Sequence, residues 1–263
     1  MGAGDVEVNI TSPNAQAGAI FDGVDDKVTI ADDASLDLDA DFSFSCRFRT
    51  KNLINDQIIF TKSTGQSTHG GFLIRIGFAD FVEIKFMDGA IPSPTCKSTT
   101  PIIVDEWTHI VITRTGTGNL VAGQVKIYIN GVEDTVAETD YGTPLLNNAL
   151  DIVIGLTAAG LQPFEGSINN IRIHKKALSQ DEVTDLYNNT NVDDKLQNHW
   201  ELTKDYIDSI SSKNGTNSGS MFGIVEQDIS AAVKADRTTA NDIYLIAETG
   251  KGKQAITTII EET

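Results

Sequence analysis

Cysteine is almost missing from these 263 residues: Cys46 and Cys96 are the two. That is too few for a disulfide framework and leaves two readings open, one bridge or two buried free thiols, since both stand in strand-like runs. Zinc chemistry goes with it. The four histidines, His69, His109, His174 and His199, have no metal-ligand spacing and form no H-E-x-x-H. Positive charge is also scarce, with 20 Lys and Arg against 37 Asp and Glu and a formal net charge of −17. With no basic cluster to meet a phosphate backbone, nucleic acid is excluded as a partner. No apolar run approaches the roughly 20 residues of a membrane span. The opening stretch MGAGDVEVNITSPN has neither a basic n-region nor an apolar h-region, so no secretory signal is expected, and Val6 stands where N-myristoylation needs Ser or Thr. Catalytic signatures are absent too. GQSTHGG (65–71) breaks G-x-S-x-G at His69, GTGNLVAG fails as G-x-G-x-x-G, and no P-loop occurs.

What is present is strand. DFSFSCRFRT (41–50) places Phe42, Phe44, Cys46 and Phe48 on one face and Ser43, Ser45, Arg47 and Arg49 on the other, the period-two pattern of a half-buried strand. QIIFTK, GFLIRIGF, FVEIKFMDG, WTHIVITRTG, QVKIYING, ALDIVIG and SINNIRIHKK follow, each closed by turn-forming or polar residues. Spacings of about 8–15 residues without intervening helices predict antiparallel sheets in a sandwich or jelly roll. Asn130-Gly131 is a strong hairpin signal and should pair 124–129 with 132–138. One helix is expected over 177–189, with Ser179 as N-cap, Glu182 closing a capping box and Leu178 as a staple.

Beyond about residue 190 the chain turns polar, with an apolar insert at Trp200 and Leu202. Residues 221–263 then carry a possible helix, EQDISAAVKADRT, and two strand-like runs parted by GKGK, which reads as a hairpin. The expected division is a β-sandwich over 1–190, a linker or closing strand over 191–220 and a small C-terminal extension over 221–263, an element for assembly.

Six segments occur in a telling order: AIFDGVDDKVTI, the Phe-rich strand, DEWTHIVITRTG, VKIYINGVEDT, LDIVIGL and FEGSINNIRIHKKALSQDEVTDLY. The succession resembles the concanavalin A-like lectin/glucanase jelly roll of the laminin-G type, including its pentraxin-like branch, over about 19–189. The resemblance implies an all-β, two-sheet antiparallel sandwich with one short helix and a non-catalytic, lectin-like role. The family usually reads IDEVRI where this chain has Asn169 and Asn170. A pentraxin disulfide would need a second cysteine where Val111 stands. HWELTKDYIDSISSKNGT (199–216) is similar to a segment that usually precedes the F-D-G motif, here placed after it. It reads as a permuted closing strand, a strand completing a neighbouring copy's sheet, or a truncated second repeat. Jelly-roll glucanases carry E-x-D-x-x-E or E-x-D-x-E on a strand, and paired carboxylates do their chemistry. Glu226-Gln227-Asp228 is the nearest string and lacks the third, so no enzyme is expected.

Three carboxylates crowd one short turn, Asp22, Asp25 and Asp26. Ca²⁺ takes six to eight oxygens, and these three are the metal candidates, against a solvated Asp-Gly turn. The resemblance would add the amide oxygen of Asn170. ADDASLDLDADF (31–42) reads as solvated turn. For a saccharide, Tyr141 and Phe164, with Phe78 and Phe81 behind them, are the exposed aromatics available for stacking. Two function classes remain. The first is a recognition module for a glycan, surface polysaccharide or protein, assisted by Ca²⁺. The second is a structural protein of a virion surface, such as a phage decoration or fibre component, docking to other virion subunits or forming a homo-oligomer. Both place the chain outside a cell or on a particle.

Overall fold

The computed structural model describes residues 16–38, 40–64, 70–77, 79–87, 94–134, 137–139, 148–224, 245–249 and 252–256. Strands follow one another with little between them. The first group is β1 (Ala17–Asp22), β2 (Lys27–Ile30), β3 (Phe42–Thr50), β4 (Gln57–Thr61), β5 (Gly71–Ile76) and β6 (Val82–Met87). Next come β7 (Thr95–Lys97), β8 (Thr108–Arg114), β9 (Val125–Ile129), β10 (Val132–Asp134), β11 (Ala137–Thr139), β12 (Ile152–Ile154) and β13 (Glu165–His174). Helix α1 (Gln180–Tyr187) precedes β14 (Leu196–Trp200), β15 (Gly215–Ser218) and β16 (Met221–Ile224). β17 (Leu245–Thr249) and β18 (Gly252–Ile256) pair with each other, as the GKGK signal predicts.

One sheet is ordered β10-β9-β8-β3-β13-β1-β16, with β14 also paired to β13; the other is β11-β7-β6-β5-β4-β12-β2-β15. The protein is all-β, a two-sheet antiparallel sandwich of jelly-roll type with one short helix. Alternation builds its core. Phe42 and Phe44 of β3 face Phe72 and Phe60 across the gap, with Phe44 and Phe60 centroids 4.8 Å apart. Each such ring, fully removed from water, contributes roughly 1.5–3 kcal/mol. Cys46 and Cys96 are both buried free thiols, so the bridge is ruled out. Apolar surroundings push the Cys46 thiol far up, which keeps it protonated and inert.

The helix forms as its sequence dictates. The Ser179 side chain accepts from the Glu182 N–H while the Glu182 carboxylate accepts from the Ser179 N–H. Its apolar face, Leu178, Val183 and Leu186, packs on Val111 and Tyr128 of the first sheet. This changes the reading of β3. All nine of its residues are buried, because α1 and the chain after it cover the face that the alternation pattern assigned to water. The Asn130-Gly131 hairpin is present, but β10 ends at Asp134 and β11 joins the other sheet beside β7. Trp107 is half-buried at the mouth of its strand.

The segment after 190 belongs to the sandwich. β14 extends β13, β15 pairs with β2 and β16 pairs with β1. The sandwich therefore runs to Ile224, past the expected boundary near 190, and β14 and β15 take the closing-strand alternative for 191–220. The displaced segment completes this chain's own sheets, as the permuted-closing-strand alternative has it. The expected helix at EQDISAAVKADRT lies outside the described residues.

Candidate functional site

The acidic turn joins β1 to β2. Asp22 Oδ1 accepts from the Val24 N–H at 2.8 Å, and Asp26 Oδ2 accepts from the Asp22 N–H at 2.8 Å. Asp22 and Asp25 are exposed, while Asp26 is buried, with the backbone of Gly219 against its other oxygen. Burial raises the Asp26 pKa, opposed by the Asp22 N–H and reinforced by the Asp22 and Asp25 charges. One oxygen from each carboxylate lies within 4.8 Å of the others. Oxygens about 2.3–2.6 Å from one cation can be that far apart, so the set fits part of a Ca²⁺ shell, the rest falling to backbone and water.

Asn170 is not there. Asp22 pairs with Glu165, and Asn170 stands five residues further along β13, about 16 Å away at strand rise. Its Oδ1 instead accepts from His199 Nε2 at 2.8 Å. Phe164 is also displaced from its expected role. It is buried in the core, edge-to-face with Phe21 and Phe48 at 6.2 Å each, and no saccharide can stack on it. Tyr141 and Phe78 lie outside the described residues. Phe81 is half-buried beneath the Lys97 ammonium, 4.4 Å from its ring centre.

A different site lies on the outer face of the first sheet. It is an open cavity of about 590 Å³ over β3, β13 and β14, walled by the chain after α1 and by residues 201–210. Its floor depends on a β-bulge. Asn169 pairs with Arg47, and Arg172 pairs with Ser45, so β13 carries one extra residue between them. That residue is Asn170, in the left-handed region at φ 55. The insertion puts Asn169 and Arg172, three apart, on the same face, beside Arg47 and across from His199.

Three floor residues are more than nine-tenths buried yet keep unpartnered polar atoms. Arg47 is 7% exposed, Asn169 5% and Arg172 8%. Arg47 Nη2 donates to the Tyr187 carbonyl, and its guanidinium stands 5.6 Å from the Tyr187 ring centre. Arg172 Nη2 donates to Asn191 Oδ1 at 3.2 Å, and Asn169 Nδ2 to the Ala17 carbonyl at 2.6 Å. Among the described residues, Arg47 Nε, Arg172 Nε and Asn169 Oδ1 have no hydrogen-bond partner. Among the described residues neither guanidinium forms an ion pair. Three other buried cations do: Arg49 with Asp105 at 2.9 Å, Arg75 with Glu83 at 2.9 Å and Lys62 with Asp37 at 2.6 Å.

The two charges act on their neighbours. Burial, then Arg172, lowers the His199 pKa to about 4, and burial, then Arg47 and Arg172, lowers that of His109 from 6.5 to about 3. His109 is 4% exposed, beside Arg47 on β8. In the unfolded chain it takes up its proton near pH 6.5, in the folded one near pH 3. Its contribution to stability is therefore complete above pH 6.5 and is lost as the pH falls, at about 1.4 kcal/mol per unit. Urea unfolding between pH 7 and 4.5 should show this slope, and His109→Gln should flatten it; an unchanged slope in the variant would contradict a neutral buried imidazole.

A family model for the concanavalin A-like lectin/glucanase superfamily matches residues 22–184. No curated protein matches the sequence. Among solved structures, a protein of Bacteroides ovatus provisionally designated carbohydrate-binding superposes with TM-score 0.57 at 17% identity, covering 81% of this chain and 60% of that one. This chain thus spans less than two thirds of that protein's length. A heptameric SAP-like pentraxin of Limulus polyphemus gives TM-score 0.53 at 13% identity, over 80% of this chain and 95% of that one. Domain 4 of an extracellular arabinanase from Geobacillus stearothermophilus, solved with arabinotriose, gives 0.50 at 21%, over 64% and 76%. At these identities the likenesses establish the fold.

Proposed function

The chain belongs to the concanavalin A-like lectin/glucanase superfamily, and from that membership we propose that it is a recognition module that binds a saccharide outside the cell without cleaving it. The observation that carries this reading is the open cavity on β3, β13 and β14, lined by guanidinium and amide groups. Planar groups with fixed donors and acceptors suit the paired hydroxyls of a sugar ring. The sandwich relatives whose names mention carbohydrate or arabinotriose point the same way. Hydrolysis by this fold would need a cluster of carboxylates on one strand, and the sequence supplies none.

Calcium enters the proposal through Asp22, Asp25 and Asp26, which would hold the ion at the β1–β2 turn and neutralise three crowded carboxylates. A glycan array probed with the full chain, with and without a chelator, tests both parts. Binding to at least one saccharide class is the expected result, and none to any sugar or surface polymer would sink the reading. For the ion, millimolar Ca²⁺ should raise the melting temperature of the wild type and not of Asp25→Asn; equal curves would remove it.

A further inference from the structure

We infer that the cavity selects a carboxylated saccharide, its carboxylate held by Arg47 and Arg172 and a neighbouring hydroxyl donating to Asn169 Oδ1. This rests on the recognition reading above and names its ligand class. The first argument is charge. Two buried guanidiniums share one cavity, and the charge of Arg47 disfavours that of Arg172. Arginine does not escape by deprotonation. Buried charges are ordinarily paired, and in this chain Arg49, Arg75 and Lys62 are. Across the cavity, Asp193 and Glu201 draw on Arg172 at a distance, but both are exposed and neither is within ion-pair reach. An anion between the two arginines supplies the missing partner, and a carboxylate matches the planar guanidinium fork.

The second argument is hydrogen-bond parity. Arg47 Nε and Arg172 Nε are donors in want of an acceptor, but Asn169 Oδ1 is an acceptor in want of a donor. A sulfate would meet the first two and leave the third unsatisfied, at a cost of about 1–3 kcal/mol for a buried group. A neutral sugar would meet Asn169 and leave both charges uncompensated. A uronic acid at a non-reducing end carries its carboxylate on C5 and a free hydroxyl on the adjacent C4, and its outer hydroxyls meet the exposed acceptors Asp193 and Glu201 at the rim. The whole chain has a formal net charge of −17, so this recognition is short-range. Repulsion between the ligand and the rest of the surface is screened beyond about 8 Å at physiological ionic strength.

Calorimetric titration of the full chain with matched pairs tests the inference: oligogalacturonate against galactose oligomers, glucuronate-terminated against glucose-terminated oligosaccharides, and sialyllactose against lactose. At least one carboxylated member should bind ten-fold or more tightly than its neutral counterpart. Arg172→Gln should remove that preference, and Asn169→Ala should weaken the same ligand several-fold. The wild-type comparison stands even if a variant fails to fold. Charged and neutral members bound alike, with Arg172→Gln silent, would overturn the cavity assignment and leave the recognition module intact. Sulfate binding as tightly as the sugar acids would also overturn it. No binding to any of the six would overturn the carboxylate assignment, while the recognition reading stands or falls with the glycan array.

Discussion

Trp200→Ala should cost about 3–5 kcal/mol of unfolding free energy, the range for emptying a buried aromatic site. Trp200 is wholly buried in the main core, and its indole Nε1 donates to the Lys213 carbonyl at 2.7 Å. It lies on β14, opposite Ile171 on β13. The substitution opens a cavity beneath the bulged part of β13 and frees the carbonyl that fixes the return of the chain toward β15. Chemical denaturation at pH 7 measures it. A loss under 1 kcal/mol would mean that residues beyond 190 do not stabilise the sandwich, contrary to the pairing of β14, β15 and β16 with its sheets.

Asp208→Ala should cost at least about 3 kcal/mol, for a different reason. Asp208 is 2% exposed, and its two oxygens accept from the backbone N–H groups of His199, Ile210, Ser211 and Lys213 at 3.0, 3.1, 3.3 and 3.2 Å. Asn198 Nδ2 and the Ser211 hydroxyl donate to it as well. Alanine leaves these donors without an acceptor, at roughly 1–3 kcal/mol for each that water does not reach. Burial alone would raise the Asp208 pKa, but the bonds from Ser211, His199, Asn198 and Ile210 outweigh it and hold it below the usual 3.8. A depressed folded-state pKa gives stability that is complete above the unfolded value and lost as the pH falls through the folded one. The wild type should thus lose stability below about pH 4 more steeply than Asp208→Asn. Parallel acid slopes would disprove the network. Trp200 and Asp208 fix the same turn from either side, so their double variant should lose less than the sum.

Much of the fold is legible along the chain because its causes are local. The Phe42, Phe44, Cys46, Phe48 alternation depends only on the two-residue period of a strand. Asn130-Gly131 and the Ser179–Glu182 box involve residues at most three apart. The acidic turn is visible as three carboxylates in five residues, and the structure brings their oxygens together. The cavity was not visible. Read at period two, SINNIRIH puts Asn169 and Arg172 on opposite faces, and the bulge at Asn170 that unites them is a property of pairing with β3 and β14. The polar row Ser43, Ser45, Arg47, Arg49 looked solvent-facing because its cover, α1, follows more than a hundred residues later. The one signal available was Arg47 and Arg172 themselves, two cations in strands of an acidic chain.

By itself, then, the sequence determined the strands, the helix, the tight hairpin and the superfamily, all written in periods and caps between near neighbours. Tertiary structure alone decided which carbonyls and carboxylates would reach each buried cation, and it left Arg47 and Arg172 without an ionic partner among the described residues. The physical reason is that pairing register and burial are set by contacts between residues far apart in the chain. A charge acquires its meaning only when water has been removed around it.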